Sequence, residues 1–172
     1  GKSLGERLDS INKKMGDNLT ISERNALVEE QRALKTAKQL EVLTVLDEAA
    51  KGAQSMDQAL AKFGERRKEF EGDLKTLGID FQNDADVIKG SLEGAVKDIN
   101  KGLKKAGKSE LKIDSSEIEK AVKDPAAFRE LTSKIVQGEK ELATAQKAQL
   151  DPLTQTNQTL TEINDGIRNL SQ

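Results

Sequence analysis

Residues 128–170 read FRELTSKIVQGEKELATAQKAQLDPLTQTNQTLTEINDGIRNL, and core-type positions recur in them at steps of three and four. The series is Phe128, Leu131, Ile135, Gly138, Leu142, Ala145, Gln149, Leu153, Thr156, Leu160, Ile163, Ile167, Leu170. That spacing is a heptad pattern, the signature of a helix whose apolar stripe needs a partner helix. Its one irregularity is the pair of fours on either side of Gln149, a stutter that unwinds a supercoil locally without ending the stripe. The stutter falls beside Asp151-Pro152, where proline removes a backbone donor and crowds the preceding turn. A kink is expected there, or a restart with Asp151 as N-cap and Pro152 at the first helical position.

Composition agrees with long, thin helices. Of the 172 residues, 35% are hydrophobic and 34% charged, against roughly 45–50% and about 25% in an average globular domain. That supply of apolar surface fills narrow seams rather than a thick core. Four Phe with no Trp or Tyr remove the usual aromatic anchors and base-stacking platforms. A formal net charge of -2, combined with strong apolar periodicity, argues against a disordered chain.

Cysteine and histidine are both absent. Their absence excludes disulfides, thiol catalysis, the common zinc ligands, the usual neutral-pH general base and every Ser-His or Cys-His nucleophile pair. No apolar run approaches the roughly 20 residues that span a bilayer, and no signal-peptide pattern opens the chain. Neither an enzyme signature nor a cofactor motif is present, so the reading is a non-enzymatic protein with no catalytic residues, cofactor or metal.

The remaining chain divides into three segments before the C-terminal arm. Residues 1–18 carry Leu4, Leu8, Ile11 and Met15 on one face, a short amphipathic helix that stops at Gly16-Asp17-Asn18. Thr20-Ile21-Ser22-Glu23 is a capping box, and residues 19–77 read as a first coiled-coil arm, about 80 Å long if unbroken. Its seam is Met56, Leu60, Phe63, Arg67, Phe70, Leu74, Leu77, and Gly52 is the expected bend. Arg67 on that seam reads as a snorkelling side chain or a register-setting polar group.

Residues 78–124 read as a smaller helical insertion. Gly78 suits the left-handed position past a helix end, and Asn83 or Asp84 caps a third helix bearing Ile88, Leu92, Val96, Ile99 and Leu103. The Asp80–Asp86 oxygen cluster fails as a calcium loop, with Ala85 and Ser91 where Gly and Glu belong. Asp114-Ser115-Ser116-Glu117 opens a short helix, and Asp124-Pro125 starts the C-terminal arm, residues 125–172. The two arms are expected to pack antiparallel, giving an all-α, elongated helical bundle.

Of two basic clusters, Arg66-Arg67-Lys68 is surrounded by Glu65, Glu69 and Glu71, and Lys101 with Lys104, Lys105 and Lys108 lacks an aromatic to stack a base. They read as solvated faces, without nucleic acid or stable membrane insertion. The Thr, Gln and Asn residues around the Leu/Ile seam after Gln149 suit a helix surrounded by copies of itself, so a homo-oligomer is expected.

The layout resembles the secreted filament and needle-tip proteins of bacterial type III secretion systems, the EspA-like and IpaD-like groups. The likeness rests on the helix around Gln31-Arg32-Ala33-Leu34, a variable middle, the Leu-Lys-Ile-Asp segment opening the helix at Leu111–Val122, and the Thr/Gln/Asn-rich heptad helix at the end. It implies a coiled coil of the two arms, self-assembly through the C-terminal helix, partners among secretion chaperones or other apparatus subunits, and a secreted or cell-surface location. Carried over by position, Leu153, Leu160, Ile163, Ile167 and Leu170 would form the assembly seam, with Leu142 on the same stripe. The alternative is a cytoplasmic helical adaptor or scaffold, such as a phage morphogenesis or other coiled-coil interaction protein.

Overall fold

Thr20 starts the helix that organises the chain: its hydroxyl accepts from the Glu23 N–H at 3.1 Å and donates to the Glu23 carboxylate at 2.9 Å. The computed structural model describes the backbone of residues 3–170 and the side chains of residues 3–148. The described elements are α1 (Leu4–Met15), α2 (Ile21–Ala50), α3 (Met56–Arg67), a 3₁₀ turn (Lys68–Phe70), α4 (Glu71–Thr76), α5 (Asp84–Lys105), α6 (Ser115–Lys123) and α7 (Pro125–Leu170). There is no strand among the described residues, and the chain is all-α.

The first arm, residues 19–77, breaks at its expected bend, Gly52. Lys51 leaves the helical region at ψ 117° and Gly52 takes φ +74°, a left-handed conformation that glycine reaches at no steric cost. Ser55 then caps a new helix, accepting from the Gln58 N–H at 3.2 Å, while Gln58 accepts from the Gln54 N–H at 2.8 Å. With Met56, Ala59, Phe63, Phe70 and Leu74 buried in one core with Leu43, Leu46 and Ala50, α3 and α4 fold back along α2. The Lys38 ammonium on α2 reaches Asp73 on α4 at 3.2 Å. The seam read from Met56 onward is therefore apposed to its own upstream helix.

Antiparallel packing of α2 and α7 follows from two contacts at opposite ends. Arg129 Nε meets Asp47 at 3.2 Å, and Gln146 Nε2 donates to Glu29 at 2.5 Å. The third helix of this layer is α5, with Ile88, Leu92, Ala95, Ile99 and Leu103 each at most 1% exposed. The main helix of the segment 78–124 thus sits against both α2 and α7. A Cβ added to Gly102 of α5 would meet Leu142 Cδ2 of α7 at 2.5 Å and Arg32 Nε of α2 at 3.1 Å, so the three helices close on that glycine.

Local signals act as the sequence predicts elsewhere. Gly78 takes φ +72° after α4, and Ile79 N–H returns to the Leu74 carbonyl at 3.0 Å. Asn83 caps α5 by accepting from Asp86 N–H at 2.8 Å, and Asp114 caps α6 by accepting from Glu117 N–H at 2.9 Å. Before α6 the chain runs back along α5, pinned where Asn100 bonds both the N–H and the carbonyl of Leu111, at 2.6 and 3.2 Å. Pro125 is the first residue of α7, with Asp124 extended before it. The helix then continues through Asp151-Pro152 to Leu170 without the restart that was one of the two expectations there. The other, a kink at Pro152, concerns residues whose side chains lie outside those described.

Candidate functional site

The heptad steps of α2 run back from Ala50 through Leu46 and Leu43 to Gln39, Thr36, Arg32 and Glu29. The last four are polar, yet Arg32 is 7%, Thr36 0% and Gln39 4% exposed. Fully enclosed arginine is rare unless paired, and Arg32 is paired three ways. Its Nε donates to Glu29 Oε1 at 2.7 Å, its Nη1 donates to Thr36 Oγ1 at 3.1 Å, and the same Nη1 lies 3.6 Å from Glu139 Oε2 on α7.

This knot fits because α5 presents a row at four-residue steps, Gly94, Asp98 and Gly102. A Cβ at position 94 would meet Gln39 Nε2, so glycine leaves room for the long α2 side chains. Asp98 lies between the two glycines; burial holds its carboxyl above the usual range, against the pull of Lys35, Lys101 and Arg32. Burial likewise raises Glu139, countered by Arg32 and reinforced by Glu29. Satisfaction is incomplete: Glu139 Oε2 and Gln39 Oε1, with Ser91 Oγ and Thr132 Oγ1, are buried without a hydrogen-bond partner.

Chemically the knot is a charge cluster that fixes which faces of α2, α5 and α7 meet. A polar residue on a core stripe sets register because a slip would leave it unpaired. Among the described residues no group of three or more ligating side chains is placed to hold a metal. An open groove of 730 Å³ lies between the α5–α6 turn and α7, along Gly107, Lys108, Lys140, Thr144 and Ala148. A second of 500 Å³ lies where Lys38 bridges Glu41 and Asp73, and Arg7 of α1 lines it.

Of the six residues expected on the assembly seam, Leu142 is 0% exposed and packed at Gly102; it is part of the chain's own core. Leu153, Leu160, Ile163, Ile167 and Leu170 lie on the α7 backbone, and their side chains fall outside the described residues. Arg67, read as snorkelling or register-setting, ties the end of α3 to the start of α5 through Asp84 at 3.1 Å. Arg66 pairs with Glu69 at 3.3 Å, so that basic cluster is partly neutralised.

The signal for the knot is that the α2 heptad, stepped upstream from Leu43, reaches Gln39, Thr36 and Arg32, polar residues that hide the stripe. No helix among the described residues is long and apolar enough to cross a membrane. Comparisons with protein-family models, curated proteins and solved structures find no match for this chain.

Proposed function

We propose that this chain is a non-enzymatic structural or tip subunit of a bacterial secretion apparatus that assembles with copies of itself through the distal half of α7. The observation that carries the reading is that α7 outruns its partner. Contacts 47 to 129 and 29 to 146 set the antiparallel register of α2 and α7. Eight residues before Glu29 is Ile21, where α2 begins, so α2 ends opposite about residue 154 of α7 on that register.

Beyond that level the α7 helix continues to Leu170, about 24 Å, and its sequence carries the heptad positions Leu160, Ile163, Ile167 and Leu170. Ile21, at the same level, is 80% exposed and is the large apolar side chain left in water among the described residues. Short of that level, α7 packs on α2, α5 and α6, which supports a folded body with a projecting assembly helix. The Thr, Gln and Asn residues around the distal seam fit neighbours of the same composition. The likeness to the type III filament and tip proteins supplies the setting: export without a cleaved leader, a chaperone before export, and function at the cell surface.

Sedimentation of the full chain and of a chain ending at Ala148 tests this. The full chain is expected to form concentration-dependent oligomers, and the shortened chain to sediment as a monomer that keeps a cooperative unfolding transition. A full chain that stays monomeric at high concentration, or a shortened chain that associates equally well, overturns the reading.

A further inference from the structure

The charge knot has an imbalance at its centre. Glu29 on α2 and Glu139 on α7 share the Arg32 guanidinium, and Glu29 holds the better geometry, 2.7 Å against 3.6 Å. Glu29 also takes a hydrogen bond from Gln146, seven residues beyond Glu139 on α7. Glu139 keeps a buried oxygen with no donor. The charged groups facing this centre are Glu29, Arg32 and Lys35 from α2, Asp98 and Lys101 from α5, and Glu139 from α7. Both lysines act on Asp98 rather than on Glu139. Glu139 is therefore left as the second anion on one enclosed cation.

We propose that this knot is a proton-operated latch: a proton on Glu139 tightens the hold of α2 and α5 on α7 at residues 135–148, and its loss loosens that hold. Protonation removes the second charge from a side chain that is half-buried and turns its enclosed oxygen, an acceptor without a donor, into a hydroxyl that can donate. The latch sits within the packed part of α7, where Arg32 of α2 and Gly102 of α5 meet it, so it sets how firmly the proximal part of α7 is held. This inference does not depend on what the distal part binds.

The sign follows from linkage. Burial raises the folded-state value of Glu139 above its ordinary one, so the folded chain binds more protons than the unfolded chain in that window. The contribution is present in full below the ordinary carboxylate value and is lost as pH rises through the folded value. Asp98 shifts the same way. Asp114, held below the usual range by the Ser116 hydroxyl and the Glu117 N–H, works oppositely but only at lower pH.

Hydrogen exchange of the full chain at pH 5.0 and 7.5, each amide referred to its intrinsic rate at that pH, tests the latch. Protection of residues 135–148 should be about fivefold higher at pH 5.0, the factor that goes with one buried polar group gaining a partner. Glu139→Gln should keep most of the high protection at both pH values, the remaining response being that of Asp98, and Glu29→Gln, which frees Arg32 for Glu139, should shrink the difference. Glu141→Gln, exposed two residues away, should keep the wild-type response. Equal wild-type protection at the two pH values, or a pH response in Glu139→Gln as large as in wild type, overturns the proposal.

Discussion

Arg32→Met should lower the unfolding free energy by about 3–5 kcal/mol, the range for removing one partner of a buried ion pair. Glu29 would keep only Gln146 as a cross-helix partner, Thr36 would lose its donor, and Glu139 would be left without its cation. Adding Glu139→Gln to Arg32→Met should recover about 2 kcal/mol, because the stranded charge goes while the shape stays. Urea midpoints at pH 7 for wild type, both single variants and the double variant measure this. A loss below about 1 kcal/mol for Arg32→Met would place the pair with solvent-exposed salt bridges, contrary to the 7% exposure of Arg32.

The second large effect is at the closest approach of the layer. Leu142→Ala should cost about 2–5 kcal/mol, since a fully buried leucine leaves a cavity that its surroundings fill only in part. Gly102→Ala should cost about 1–2 kcal/mol in the wild-type chain. The added methyl would press on Leu142 Cδ2 at 2.5 Å and Arg32 Nε at 3.1 Å, and overpacking outweighs the roughly 1 kcal/mol gained in helix propensity. In the Leu142→Ala background the same methyl enters the space vacated, and Gly102→Ala should become neutral or stabilising. A coupling of about 1–3 kcal/mol between the two sites is therefore expected from thermal or urea unfolding. Additive effects would mean that α5 and α7 do not close on Gly102.

Much of the fold was legible because helix ends are local. Thr20, Asn83 and Asp114 cap through hydrogen bonds spanning three residues, and Pro125 and Gly78 act through their own backbone preferences. The stripe of Phe128, Leu131, Ile135 and Leu142 is buried as its period required. What was not legible was long-range or ambiguous. The bend at Gly52 was legible and takes φ +74°, but Ser55-Met56-Asp57-Gln58, a capping box like Thr20-Ile21-Ser22-Glu23, is hidden in an otherwise helical composition, and only the apolar match of Phe63, Phe70 and Leu74 to α2 shows how far the chain turns back. The site was harder still. Arg32, Thr36 and Gln39 look like ordinary surface residues until Gly94 and Gly102 are brought opposite them, across 55 positions from Gln39 to Gly94 and 70 from Arg32 to Gly102.

Because the chain contains no cysteine, one introduced thiol tests the central claim most directly, that the distal stripe of α7 meets the same stripe in another copy. Helices related by a rotation axis along their length run parallel, so position 160 of one copy faces position 160 of the next. Under mild oxidation Leu160→Cys is expected to give a covalent dimer rapidly, and Glu162→Cys, on the outer face of the heptad, to remain largely monomeric. Monomer from both variants, or equal cross-linking at the two positions, would contradict assembly through this helix.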